Sequence, residues 1–174
     1  MKILVVVDMQ KDFIDGALAN VKGKEVLQNV IDEIKNNYDL YLLTMDSHNE
    51  DYLDTFEGKN LPIKHCIVDT DGWKINNHVL NGIIDTKRPY KIFEKNGFGS
   101  YELIDYLGSY EKDIDSITVV GLCTDICVIT NALMLRAKFP NIPMFYRENA
   151  MYATSDDNQR ASINVLNACQ IYRK

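Results

Sequence analysis

Ser116-Ile-Thr-Val-Val-Gly-Leu-Cys-Thr-Asp-Ile-Cys-Val128 reads as a buried strand running straight into a helix. Ile117, Thr118, Val119 and Val120 form a β-branched run of the kind that fits a pleated surface. Gly121 stops the run. Thr124 and Asp125 are helix-capping residue types, and the apolar segment Val128–Ala137 that follows is compatible with a helix. Cys127 therefore rides a sharp strand-to-helix turn, among backbone N–H groups with no helical partner. The partial positive charge of a helix start predicts a lowered thiol pKa there. A lone cysteine after a strand is, however, most often inert packing. The reading turns on whether acid–base partners stand at the ends of other strands.

They do. Ile3–Val7 is a continuous apolar run, as in a central parallel strand covered on both faces, and it ends at Asp8. Leu40–Met45 repeats the pattern and ends at Asp46. Tyr90–Phe93 is a third strand candidate, followed by the glycine-punctuated loop Glu94-Lys95-Asn-Gly-Phe-Gly-Ser-Tyr101. Helical spacing of apolar residues predicts helices over Lys24–Asn37, Glu102–Leu107 and Val128–Lys138. Pro143–Tyr146 and Ile171–Tyr172 read as further strands, with a last helix between them capped by Asp156 or Asp157. Val79–Ile84 is short and apolar. Alternating strands and helices imply an α/β fold, a mostly parallel sheet with helices on both faces, in one domain over residues 1–174. Ligands of such sheets bind beyond the carboxyl ends of the strands. Asp8, Asp46, Lys95 and Cys127 should all sit on that rim.

Asp46-Ser-His48 and the later His65 offer an oxygen and two nitrogens, a donor set suited to Zn²⁺, Mn²⁺ or Fe²⁺. His78 has no evident partner and reads as surface. Composition narrows the function classes. Of 174 residues 46% are apolar, enough for a sizeable core, and 4 prolines with 9 glycines leave little room for long disordered stretches. With 19 basic against 25 acidic residues and no basic cluster, nucleic acid is not an expected partner. No apolar stretch approaches membrane-span length, and the run after Met1 is too short for a signal peptide. Four cysteines without framework spacing suggest a reduced, cytoplasmic protein. The Cys-x₃-Cys spacing of Cys123 and Cys127 is not that of a thiol–disulfide redox motif.

Four blocks in order carry a family resemblance: Asp8-Met-Gln-Lys-Asp-Phe13; Thr44-Met-Asp-Ser-His48 with His65-Cys-Ile-Val-Asp-Thr-Asp-Gly72; Lys95-Asn-Gly-Phe-Gly-Ser-Tyr101; and Gly121-Leu-Cys-Thr-Asp-Ile-Cys127. In these the chain resembles the isochorismatase-like cysteine hydrolases, nearest their nicotinamidase (pyrazinamidase) branch. The resemblance implies a three-layer α/β/α, Rossmann-like fold with a roughly six-stranded sheet. It implies a Cys127, Asp8, Lys95 triad and a metal on Asp46, His48 and His65, with zinc foremost and iron or manganese as alternatives. It implies a cis peptide before Cys123, so that the N–H groups of Cys123 and Cys127 form an oxyanion hole. Phe13 and Gln10 are the expected substrate-binding residues. The implied reaction is hydrolysis of a small amide, nicotinamide first, through a thioester on Cys127, with no organic cofactor. Family members are often dimers or tetramers, and the nearly apolar helix after Cys127 permits a homo-oligomer.

Two departures bear on the substrate. Nicotinamidases usually carry tryptophan where this chain has Ser47, and a tryptophan–proline pair where it has Leu61-Pro62. The one tryptophan, Trp73, lies past His65. A further family histidine aligns with Tyr52. The alternatives are a related hydrolase of another small amide, N-carbamoyl or ureido compound, whose branches generally lack the metal set, and a silent binding member of the fold.

Overall fold

A computed structural model describes residues 1–174. Six strands form one parallel sheet in the order β3-β2-β1-β4-β5-β6. They are β1 (Lys2–Val7), β2 (Leu40–Asp46), β3 (Tyr90–Lys95), β4 (Ser116–Leu122), β5 (Met144–Tyr152) and β6 (Ile171–Arg173). The helices are α1 (Lys11–Ile14), α2 (Gly23–Ile34), α3 (Phe56–Asn60), α4 (Asn77–Asp85), α5 (Tyr101–Gly108), α6 (Ile129–Lys138) and α7 (Asp156–Ala168). The short apolar run Val79–Ile84 lies in α4, and His78 is exposed on that helix. No helix is long and apolar enough to cross a membrane.

Side-chain alternation along β1 divides the core. Ile3, Val5 and Val7 point into one apolar cluster with Leu103, Leu107, Leu135 and Leu166 from α5, α6 and α7. Leu4 and Val6 point into the other, with Val26 and Val30 of α2 and Val79 and Ile83 of α4. Ile3, Leu4, Val5 and Val7 are all 0% exposed, which is why β1 reads as a continuous apolar run. Truncating Leu4 to alanine should cost about 2–5 kcal/mol.

The strand order reverses between β1 and β4, the place where α/β sheets open a crevice at their carboxyl edge. Gly121 lies inside β4 at φ 122°, so the expected strand end at this glycine is corrected. A Cβ there would stand 2.0 Å from the Val7 carbonyl oxygen. Only glycine lets β4 pass β1 so closely. Thr124 and Asp125 do not cap the next helix. A single π-helical turn, Thr124–Val128, precedes α6, and the cap residue Cys123 makes no side-chain capping bond. Asp125 instead accepts hydrogen bonds from the backbone N–H and Oγ1 of Thr154 and from Nδ2 of Asn158. Ser155, not either aspartate, caps α7, accepting from the Asn158 N–H. Lys95 is the last residue of β3 rather than part of the loop beyond it.

Candidate active site

Three strand ends and one turn bring the reactive groups together. Asp8 leaves β1 in the left-handed region, φ 48°, and is 0% exposed. Lys95 at the end of β3 reaches back across β2, and its Nζ lies 2.7 Å from Asp8 Oδ2 and 3.6 Å from Cys127 Sγ. Thr44 Oγ1 donates to Asp8 Oδ1 at 2.6 Å. Burial raises the Asp8 carboxyl above its ordinary range, against the opposing pull of Lys95. Burial also pulls the Lys95 ammonium down, but the charges of Asp8, Cys127 and Asp46 more than offset this and hold it protonated.

The expected lowering of the Cys127 thiol is corrected. Burial and the Asp8 carboxylate push it well above the usual thiol range, and Lys95 only partly opposes them. A partial charge at a turn is weaker than desolvation in a site this closed. The resting nucleophile is therefore a thiol next to a base. The Leu122–Cys123 peptide is cis. The Cys123 N–H donates to no protein acceptor, while the Cys123 carbonyl accepts from Ile126 and Val128. Asn131 on α6 fixes the turn from below. Its Nδ2 donates to the carbonyls of Cys127 at 2.8 Å and Phe98 at 3.1 Å, and its Oδ1 accepts from the Ser100 N–H.

The metal donors expected from sequence also converge. The chain after β2 pairs with residues 66–68: the His48 N–H donates to the Cys66 carbonyl, and the Val68 N–H donates to the His48 carbonyl. This strip closes the long gap between the two histidines. His48 Nε2 lies 3.0 Å and His65 Nε2 3.4 Å from Asp46 Oδ2. His65 Nδ1 is bonded to the Ile63 carbonyl at 2.8 Å, which leaves Nε2 for an ion.

Glu57, which no sequence spacing singles out, stands beside them as a fourth candidate donor. Its Oε1 lies 3.9 Å from Nε2 of both histidines, and ligand atoms of Asp46, His48, Glu57 and His65 all fall within 4.8 Å of one another. The local signal is Thr55, whose side chain caps α3 by accepting from the Gly58 N–H and so turns Glu57 inward. Tyr52, aligned with the family's further histidine, packs its ring 4.6 Å from His48 and 4.9 Å from His65. Two carboxylates facing two imidazoles fit a divalent cation. Burial lowers the His65 pKa, but the Asp46 carboxylate and the Ile63 carbonyl outweigh it and raise the net value, the mark of a place that favours positive charge.

Gln10, an expected substrate-binding residue, does not line the cavity. It is 0% exposed, and its amide is fully engaged. Oε1 accepts from the Asp46 N–H at 2.7 Å, and Nε2 donates to the Asp46 carbonyl at 2.8 Å and the Trp73 carbonyl at 2.7 Å. Gln10 thus clamps the peptide of a candidate metal ligand. Asp12 does the same one turn on, accepting from the Cys66 N–H beside His65 at 2.7 Å. Phe13 does line the cavity, with its ring 5.6 Å from His65. Trp73 does not. Its indole N–H donates to Ser47 Oγ at 2.7 Å, behind the wall.

A thiol, a carboxylate and an ammonium thus meet at the switch point of a parallel α/β sheet, a grouping suited to nucleophilic chemistry, beside four side chains that could hold a metal ion. The family model described as the Isochorismatase domain matches residues 2–172, and the chain belongs to that family. Among solved structures it is similar to the pyrazinamidase/nicotinamidase of Streptococcus mutans, with 21% identity, TM-score 0.83 and all of both chains covered (100% and 100%). The yeast nicotinamidase bound to the inhibitor nicotinaldehyde has 19% identity and TM-score 0.82, with 99% of each chain covered. The pyrazinamidase of Pyrococcus horikoshii in complex with zinc has 20% identity and TM-score 0.78, with 99% of this chain and 98% of that chain covered. No curated protein matches the sequence.

Proposed function

We propose that this protein is a cysteine amidohydrolase that converts nicotinamide and water to nicotinate and ammonia. The observation that carries the reading is Lys95, 2.7 Å from Asp8 and 3.6 Å from Cys127, the thiol that lines one cavity together with the four candidate metal donors. Asp8 takes the Cys127 thiol proton as sulfur attacks the amide carbonyl, and Lys95 holds Asp8 in place. The N–H groups of Cys123 and Cys127 receive the oxyanion, a contribution of roughly 3–4 kcal/mol per donor in comparable sites. Asp8 returns the proton to the leaving ammonia, then deprotonates the water that opens the thioester.

Asp46, His48, Glu57 and His65 would hold a divalent ion, zinc first and iron or manganese as alternatives, and that ion would supply Lewis acidity for positioning the substrate's ring nitrogen. Phe13 packs against the ring. The donor set argues against the carbamoyl and ureido branches, and retention of Cys127 argues against vinyl-ether hydrolysis and a silent role. The reading extends to a single domain over 1–174, to a cytoplasmic location, given four free cysteines, and to a homodimer or homotetramer using the half-buried Ile129, Leu133 and Met134 of α6.

The test is chromatography of the product from nicotinamide with metal-loaded protein, with and without chelator. Nicotinate that disappears on chelation and returns with zinc supports the reading. No nicotinate from the zinc-loaded protein overturns it.

A further inference from the structure

The cavity over Cys127 has a volume of about 930 Å³. That is the size of a site for a drug-sized ligand rather than for one ring and a carboxamide. Its depth is graded. Cys127, His65 and Tyr52 at the bottom are 6%, 2% and 0% exposed, while Phe98 and Phe56 at the mouth are 48% and 86% exposed. Leu61 also lines the cavity. Exposed aromatic side chains continuous with a catalytic cleft mark surface awaiting a ligand. The charges are one-sided too. Asp46, Asp51 and Glu57 line the cavity, and no lysine or arginine does. Lys95, beside Cys127, is buried and paired to Asp8 and Asp46. Asp46 and Glu57 neutralise a divalent ion, so the loaded site offers no surplus positive charge to a carboxylate.

We infer that the outer cavity, walled by Phe56, Leu61 and Phe98, is a subsite for an uncharged apolar substituent. The substrates it selects are neutral aromatic carboxamides extended beyond one ring. The inference rests on the amidase reading of the Cys127 site and adds its specificity. Phe56 and Leu61 belong to the segment that carries Glu57, so the subsite is built on the same short helix region as the fourth metal donor.

The experiment compares kcat/KM of zinc-loaded protein for nicotinamide, for nicotinamides bearing a phenyl group at each free ring carbon in turn, and for the matching carboxylated compounds. At least one phenylated amide should equal or exceed nicotinamide, and the carboxylated compounds should fall about a hundredfold below it. Phe56→Ala should cost the phenylated amide about tenfold and leave nicotinamide within about twofold. Leu61→Arg should raise the carboxylated amide about fivefold, the size of an exposed ion pair. Nicotinamide turnover with every phenylated analogue about a hundredfold slower would overturn the subsite and leave the amidase reading standing. Equal losses for both amides in Phe56→Ala would overturn it as well. So would a fall in sedimenting mass in that variant with the substrate ratio unchanged, since the aromatic rim would then be a contact between copies. No turnover of any amide would remove both readings.

Discussion

Asp46 stands 3.4 Å from Lys95 through Oδ1 while its other oxygen, Oδ2, faces His48 and His65. One buried carboxylate thus joins the candidate metal set to the proposed catalytic triad. Burial works against its ionisation, yet the hydrogen bonds from His48 and His65 and the charge of Lys95 hold its pKa well below the usual carboxylate range. The anion is fixed between the Lys95 ammonium on one side and the two imidazoles on the other. The geometry of the rim follows from this single side chain, and the backbone that carries it is held by Gln10.

Gln10→Met should be destabilising. The variant keeps side-chain volume but leaves the buried Asp46 N–H and carbonyl, and the part-buried Trp73 carbonyl, without this partner. Unpaired buried groups cost roughly 1–3 kcal/mol each, so the two Asp46 groups alone predict a loss of about 2–6 kcal/mol. Urea unfolding measures it, and a midpoint equal to wild type would show that the clamp contributes nothing.

Glu57→Gln should weaken zinc binding. Partners of metal ligands alone commonly contribute about 10–100-fold in affinity, and a direct donor is worth at least the lower figure. Competition with a chromophoric chelator reads the change without any turnover. Unchanged affinity would remove Glu57 from the donor set.

The pH profile should have its acid limb set by Asp8. The base must be unprotonated to accept the thiol proton, and burial raises its carboxyl above the ordinary 3.8. kcat/KM should therefore fall about tenfold per pH unit below the raised value and recover above it. Lys95, held protonated beyond its ordinary 10.5, adds no alkaline loss below that pH. A profile flat down to pH 3.8 would mean that Asp8 is not the base.

Much of this was legible in the sequence because the signals are local. Ile3–Val7, Leu40–Met45 and Ile117–Val120 are buried on both faces, so their strands show as unbroken apolar runs, and their ends place Asp8, Asp46 and the Cys127 turn. What was not legible depends on direction or on distant pairing. Gln10 lies in the Asp8–Phe13 block of the family resemblance, but its direction is set by distant pairing: its backbone pairs across to Ile75 and its amide turns under Asp46. Glu57 reaches the histidines only because a capped helix of one turn folds over them, and no fixed spacing announces that. The rise of the Cys127 thiol pKa is not legible in the turn, because the turn is local while desolvation comes from the whole site.

The most direct test of the account is ammonia release from nicotinamide by zinc-loaded wild type and Cys127→Ala side by side, with circular dichroism confirming that both are folded. The account predicts sustained release by the wild type and none above background from the alanine variant. Release by Cys127→Ala at a rate near that of wild type would contradict it, because the carbonyl would then be attacked by something other than this thiol.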